Sequence, residues 1–224
     1  MLLIFDFDGV VADTEIVSNT VLAEALTEIG LPTTLEDALH DYLGRNWADC
    51  ARIIEEALGA PIPADFNQRR EARIFERLRV ELEPVPGVRE FLRAFPQHPR
   101  AIASSSSREW LAFCLAQLGL ASEFGDHVFS VSQVKRGKPH PDIFLHAAET
   151  LGVAPARSVV LEDSPTGVRA GVAAGMHTIG ICAGRHVRPG HAEKLKEAGA
   201  HVVVRSFEEA QRHVFSLPQQ ISLA

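Results

Sequence analysis

The chemistry in this chain is concentrated at six polar positions: Asp6 and Asp8 in Leu2-Leu3-Ile4-Phe5-Asp6-Phe7-Asp8-Gly9, then Ser104, Lys138, and the pair Glu162-Asp163. Asp6, Ser104 and Glu162 directly follow short apolar runs, and Lys138 lies one loop beyond another. Two acids one residue apart at the end of a buried strand are costly to keep without a task. Converging carboxylates repel one another and call for a cation. An all-oxygen donor set suits Mg²⁺ far better than zinc. A serine hydroxyl, backbone N–H groups at a helix start and a lysine supply the complementary part, a pocket for an anion. Acids, Mg²⁺ and an anion pocket together describe phosphoryl transfer.

The elements that must position these groups follow from the hydrophobic pattern. Leu2–Phe5 reads as a strand buried on both faces of a parallel sheet. Asp13-Thr14 can cap a helix whose apolar positions Val17, Val21, Leu22, Ala25, Leu26 and Ile29 recur at helical spacing, with Gly30 and Pro32 ending it. From there to about Arg79 the pattern is helical, clearest at Ile53–Leu58 and Ile74–Leu78. Glu83-Pro84-Val85-Pro86-Gly87 is a turn-rich hinge before a helix over Val88–Phe95. Further strands are expected at Ala101–Ala103, Val128–Val131, Val159–Leu161, Thr178–Ile181 and Val202–Val204, alternating with amphipathic segments. That alternation implies an α/β fold, a doubly wound, Rossmann-like parallel sheet built from residues 1–13 and 83–224, with 14–82 inserted as a helical cap. The acids, Ser104 and Lys138 then gather at the carboxyl edge of one sheet, where open α/β folds bind ligands. The tail Pro218–Ala224 is expected to fray.

Composition narrows the function classes. A chain of 224 residues suits one large domain or a core carrying a smaller insert. With 22 Lys+Arg against 29 Asp+Glu, the formal charge of −7 argues against a nucleic-acid partner. Apolar residues at 46% provide enough material for a core. No apolar run approaches the roughly 20 residues that span a bilayer, and the first residues lack a basic leader. A cytoplasmic protein with no membrane partner is expected. Cys50, Cys114 and Cys182 are scattered, form no CxxC pair, and read as reduced, buried thiols.

Each polar position also has a plainer reading. Asp13 reads as a helix cap or turn residue. Ser104-Ser105-Ser106-Ser107 could be capping chemistry, Lys138 an exposed turn lysine, and Glu162-Asp163-Ser164-Pro165 a capped helix start. Their joint occurrence at successive strand ends argues against coincidence.

At these residues the sequence resembles the haloacid dehalogenase superfamily, in particular β-phosphoglucomutase-like phosphatases with a helical cap after the first strand. The resemblance rests on Asp6-Phe7-Asp8-Gly9-Val10-Val11-Ala12-Asp13-Thr14-Glu15, on Ile102-Ala103-Ser104-Ser105, on Gly137-Lys138-Pro139, and on Val159-Val160-Leu161-Glu162-Asp163-Ser164-Pro165. These motifs occur in the family's order across nearly the whole chain. The resemblance implies that Asp6 is the nucleophile and Asp8 the general acid/base. It implies that Asp6, the main-chain carbonyl of Asp8, and Asp163 hold Mg²⁺. Ser104, Ser105 and Lys138 would bind the phosphoryl group, with Glu162 supporting the lysine or the metal shell and Gly9 completing the motif. Such chemistry is self-consistent: a carboxylate attacks phosphorus to give an aspartyl-phosphate, and a second acid serves the leaving oxygen and then the water.

The implied activity is hydrolysis of a small phosphorylated metabolite. A phosphomutase is the alternative, but the position where the mutase carries a histidine is Ser18 here. A receiver-like phosphorylation switch is a third reading, disfavoured by length and by the Asp6/Asp8 pair. Glu15 and Arg45, the latter in Gly44-Arg45-Asn46-Trp47, are the candidate specificity residues of the cap. Gly184-Arg185-His186, following the strand Thr178–Ile181, could border the mouth of the same site, though Arg185 reads rather as a solvated surface arginine; Trp47 reads as core packing. Neither the substrate nor the oligomeric state is legible.

Overall fold

The computed structural model describes residues 1–45 and 47–217, so Asn46 and the tail expected to fray lie outside the described residues. The chain divides into two compact units, Thr14–Leu82 and the remainder.

The Thr14–Leu82 unit holds four helices: α1 (Thr14–Glu28), α2 (Leu35–Asp41), α3 (Trp47–Leu58) and α4 (Phe66–Glu81). Leu22, Leu26, Ala38, Tyr42, Cys50, Ile54 and Phe66 form its core. The start of α2 is fixed by a capping box, in which Thr34 Oγ1 accepts from Asp37 N and Asp37 Oδ2 accepts from Thr34 N. On the outer face Arg73 bridges Glu24 and Glu28, and Arg77 reaches Glu24, tying α4 to α1.

The other unit is a six-stranded parallel sheet: β1 (Leu2–Phe5), β2 (Arg100–Ser104), β3 (Val128–Ser130), β4 (Ser158–Glu162), β5 (His177–Ile181) and β6 (Val202–Val204), in the order β3-β2-β1-β4-β5-β6. β1 is central, which is why it reads Leu-Leu-Ile-Phe without alternation: both of its faces are buried. The helices are α5 (Val88–Ala94), α6 (Arg108–Leu118), α7 (Ala121–Phe124), α8 (Asp142–Thr150), α9 (Pro165–Ala173), α10 (His191–Glu197) and α11 (Phe207–Ser216). Leu2 and Ile4 pack toward Ile143, Phe144 and Ala147 of α8 and Ala170 of α9. Phe5 points the other way, edge-on to Phe91 of α5 and Phe124 of α7, with ring centroids 5.8 Å apart in each pair. Each such side chain contributes roughly 1.5–3 kcal/mol of burial free energy.

This topology places the site. Strand order reverses at β1, between β2 on one side and β4 on the other, so the carboxyl ends of β1 and β4 flank the switch point where such folds bind ligands. Phe5 pairs with Leu161, so the residues that follow, Asp6 and Glu162-Asp163, emerge side by side. The two chain segments next to the four-helix unit also pair. Asp13 N donates to Glu83 O at 3.0 Å and Val85 N to Val11 O at 3.0 Å. The three thiols are free. Cys50 and Cys114 are buried, and burial with the nearby Asp163 pushes the half-buried Cys182 up to about 11. Among the described residues no helix is long and apolar enough to cross a membrane.

Candidate active site

Asp6 is still laddered to β4, its N–H donating to Leu161 O at 2.9 Å, so its side chain leaves the sheet in a fixed direction. Lys138, on the segment between β3 and α8, places its ammonium between two carboxylates. Nζ is 2.7 Å from Asp6 Oδ1 and 2.6 Å from Glu162 Oε1. The lysine is nearly sealed from solvent, and its ammonium lies 5.1 Å from the Phe144 ring centroid. Glu162 is completely buried. Its other oxygen accepts from Ser164 N at 2.8 Å and Ser164 Oγ at 2.9 Å, which commits both oxygens to holding Lys138 and the start of α9.

Asp163 completes a buried triad with Asp6 and Glu162, with one carboxylate oxygen of each within 4.8 Å of the others. Burial penalises the Lys138 charge, but Asp6 and Glu162 more than reverse that and hold its pKa above the usual lysine value. Burial and the charge of Asp6 push Glu162 up to about 8 although Lys138 pulls it down. The same two causes hold Asp163 well above the usual carboxylate range. Three acids crowd around one ammonium, and the upward shifts of Glu162 and Asp163 report what it costs to charge them together. A hard oxygen donor set of that kind fits a divalent cation such as Mg²⁺.

Gly9 makes the close packing of this cluster feasible. It turns the chain at φ +80°, and a Cβ there would lie 2.0 Å from Asp163 Oδ2 and 2.7 Å from His186 Cε1. Only glycine fits both the dihedral and the space.

Asp8 points elsewhere. Its carboxylate accepts from Ser106 Oγ at 2.5 Å and from Trp110 Nε1, on α6, at 2.8 Å. The side chain of Asp8 is therefore not part of the acid triad. The serine run divides its labour. Ser104 is buried and its Oγ accepts from Ser106 N at 3.0 Å, Ser105 is exposed, and Ser107 caps α6 by accepting from Trp110 N. Capping thus explains one serine of the four.

Trp110 and His191 were not singled out from sequence, Ser106 was read only as part of a capping run, and His186 only as part of a loop that could border the site. His186 Nε2 lies 3.0 Å from Asp163 Oδ2, and His191 Nε2 lies 2.6 Å from Asp163 O. Ser106 and Trp110 are 98 and 102 residues from Asp8, and no local pattern announces a pairing at that separation. The structure adds to two plain readings. Asp13, expected only to cap a helix, is buried and engages Arg185 with both carboxylate oxygens. Arg185 is exposed as expected, and in addition binds Asp13 and approaches Glu83 at 3.5 Å. In the four-helix unit Glu15 and Arg45 line one cavity of about 200 Å³ together with Ser18, Tyr42, Trp47 and Arg70. Trp47 is partly buried and packs against the core at Phe66, with rings 6.0 Å apart, and also carries the Arg70 guanidinium 4.6 Å from its centroid.

Comparison with known proteins agrees with this architecture. Residues 1–175 match the haloacid dehalogenase-like hydrolase family. The chain is 31% identical over 179 residues to a fructose-1-phosphate phosphatase of Escherichia coli, covering 80% of this chain and 95% of the relative. It is 35% identical over 213 residues to a phosphorylated carbohydrates phosphatase of Thermotoga maritima, covering 92% and 94%. A solved haloacid dehalogenase family hydrolase of Deinococcus radiodurans, with bound phosphate and sodium, matches with a TM-score of 0.83 and 33% identity over 99% of this chain and 96% of that one. The chain belongs to the haloacid dehalogenase-like hydrolases.

Proposed function

We propose that this hydrolase is a Mg²⁺-dependent phosphatase acting on a small phosphomonoester, a sugar phosphate or similar metabolite, through an aspartyl-phosphate on Asp6. The observation that carries the reading is the placement of Lys138 between Asp6 and Glu162 beside Asp163, at the switch point of the sheet. The phosphatase names of the relatives support the same class.

Asp6, the main-chain carbonyl of Asp8, and Asp163 would hold Mg²⁺. When bound, the ion supplies charge neutralisation between anionic nucleophile and anionic substrate. Every other task falls to the chain. Lys138 orients the Asp6 carboxylate and offers its charge to the phosphoryl oxygens. Ser104 Oγ accepts from Ser106 N, which leaves its own hydrogen to donate to a phosphoryl oxygen, and Ser105 offers a second donor at the exposed edge. Asp6 attacks phosphorus as the Asp8 carboxyl protonates the departing alkoxide, so the substrate's P–O bond breaks as the aspartyl P–O bond forms. Asp8 then takes a proton from the attacking water, which releases phosphate and restores Asp6. Ser106 and Trp110 bind the Asp8 carboxylate, one on each oxygen, and so limit where it can turn.

The test is phosphate release from p-nitrophenyl phosphate and from a panel of sugar phosphates, phosphoglycolate, nucleotides and 6-phosphogluconate, with and without Mg²⁺. Metal-dependent steady turnover supports the reading. Isomerisation of a sugar phosphate without net phosphate release would replace it with a mutase, and a single stable phosphorylation would replace it with a switch.

A further inference from the structure

We propose that His186 is a positioning residue for Asp163, fixing the carboxylate that would help hold the divalent cation. This rests on the reading above.

His186 belongs to the segment between β5 and α10 and is only 2% exposed, which is unusual for an imidazole on a loop. Its Nε2 sits 3.0 Å from Asp163 Oδ2, while His191 at the start of α10 reaches the Asp163 main-chain oxygen at 2.6 Å. The segment from His186 to the first residue of α10 therefore grips Asp163 by its side chain and its backbone. The ring lies in a slot cut by two glycines. A Cβ on Gly9 would meet His186 Cε1 at 2.7 Å, and one on Gly184 would meet His186 Nδ1 at 2.6 Å. The neighbouring residue anchors the loop, since both Arg185 N and Arg185 Nε bind Asp13.

The physical need for such a device is plain. Asp163 shares a buried space with two other acids, and like-charge repulsion favours any rotamer that moves its carboxylate away. A donor held on Oδ2 opposes that rotation, and fixing one oxygen fixes the other. Partners of this kind are worth about 10–100-fold in metal affinity when removed.

Mg²⁺ binding to the substrate-free protein, measured by isothermal titration calorimetry, tests this directly. His186→Leu keeps the bulk and removes the donor, and it should weaken Mg²⁺ binding by about 10–100-fold. His186→Gln keeps a donor near the position of Nε2 and should stay within a few-fold of the unmodified protein. Gly184→Ala leaves the ring's chemistry intact but displaces it, and should weaken Mg²⁺ in the same direction. It serves also if the leucine variant does not fold. Equal Mg²⁺ affinity in His186→Leu and the unmodified protein overturns the inference, as does equal loss in the leucine and glutamine variants. If the unmodified protein itself binds no Mg²⁺, the phosphatase reading fails first and this inference with it.

Discussion

Arg185 closes on the buried carboxylate of Asp13, with Nε 2.5 Å from Oδ2 and the backbone N–H 3.3 Å from Oδ1. Asp13 in turn donates its N–H to Glu83 O, and Arg185 approaches the Glu83 carboxylate at 3.5 Å. One half-exposed arginine thus ties together both chain segments that border the four-helix unit. The side chain of Asp13 is 1% exposed, so removing its cation leaves a sealed carboxylate short of a partner. Arg185→Ala should lower unfolding free energy by roughly 1–3 kcal/mol, the range for leaving a buried acceptor without its partner, toward its lower end because the arginine is partly solvated. Urea denaturation measures it. An unchanged midpoint would place the pair with ordinary surface ion pairs.

Asp6→Asn should reduce kcat by at least ~10³, because the covalent route is lost. The fold should survive. Lys138 keeps Glu162 as a partner, and one source of the upward push on Glu162 and Asp163 disappears. Thermal stability should therefore not fall. Mass spectrometry after incubation with substrate should find the phosphoenzyme in the unmodified protein only. Near-normal turnover of the folded variant excludes Asp6 as nucleophile.

Asp8 and Asp163 should separate under mutation. Asp8→Asn should slow turnover by roughly 10²–10⁴ with little change in Mg²⁺ affinity, since its side chain faces Ser106 and Trp110 and not the acid triad. Asp163→Asn should weaken Mg²⁺ first. Trp110→Phe should follow Asp8 in lowering kcat, but less steeply, because Ser106 still holds the carboxylate. Metal titrations that come out alike for Asp8→Asn and Asp163→Asn contradict this division.

The strands were legible because each is a short apolar run ended by a polar residue, and a fully buried parallel strand leaves that trace directly. Asp6, Ser104, Lys138 and Glu162-Asp163 were legible for a related reason: parallel strands deliver their carboxyl ends to one edge. Ser106, Trp110 and His186 were not. Their meaning lies in contacts with Asp8 and Asp163 across the fold, and a hydroxyl in a serine run or a histidine in a loop has no periodicity to betray it. Arg185 faces water as its loop suggests, but its ion pair was not legible. Arginine in a Gly/Arg/His loop usually faces water, and the sequence does not reveal that a sealed Asp13 waits opposite.

Acid should weaken the fold at a place remote from these residues. His177, at the start of β5, stacks on His213 of α11 with Nε2 atoms 2.9 Å apart, and lies 4.8 Å from the His201 ring centroid. Burial, with His201 and His213 adding repulsion, lowers His177 to about 4. An unfolded histidine titrates near ~6.5. Between these values the unfolded chain takes up a proton that the folded one refuses, so stability declines as pH falls from about 6.5 toward 4 and this contribution levels off below that. His177→Gln should flatten the difference in urea midpoint between pH 7 and pH 5. An equally steep decline in the variant assigns the acid sensitivity to other groups.

The cavity in the four-helix unit is a candidate for substrate recognition that mutation can test. On α4, Arg69, Arg73 and Arg77, three of its five arginines, each meet a carboxylate, whereas Arg70 rests on Trp47 and donates to Asn67 Oδ1. Burial lowers its pKa, so the guanidinium is partly stripped of water. Arg45 on the same cavity is exposed, its Nε donating to Asp41 O. A cavity of about 200 Å³ lies below the ~300 Å³ at which drug-sized pockets begin, which suits one small polar group. If the cavity reads a hydroxyl-rich or anionic part of the substrate, Arg45→Ala should raise KM for the preferred substrate by about one to two decades, the equivalent of one charge-assisted contact of roughly 1.5–3 kcal/mol. Arg70→Ala should do at least as much, because its side chain is less hydrated to begin with. p-Nitrophenyl phosphate has no such group to offer, so its kcat/KM should change little in either variant. Equal losses on both substrates would assign the arginines to the stability of the helical unit, and Arg70→Ala would then also lower the thermal midpoint. No loss on either substrate would remove this cavity from recognition altogether.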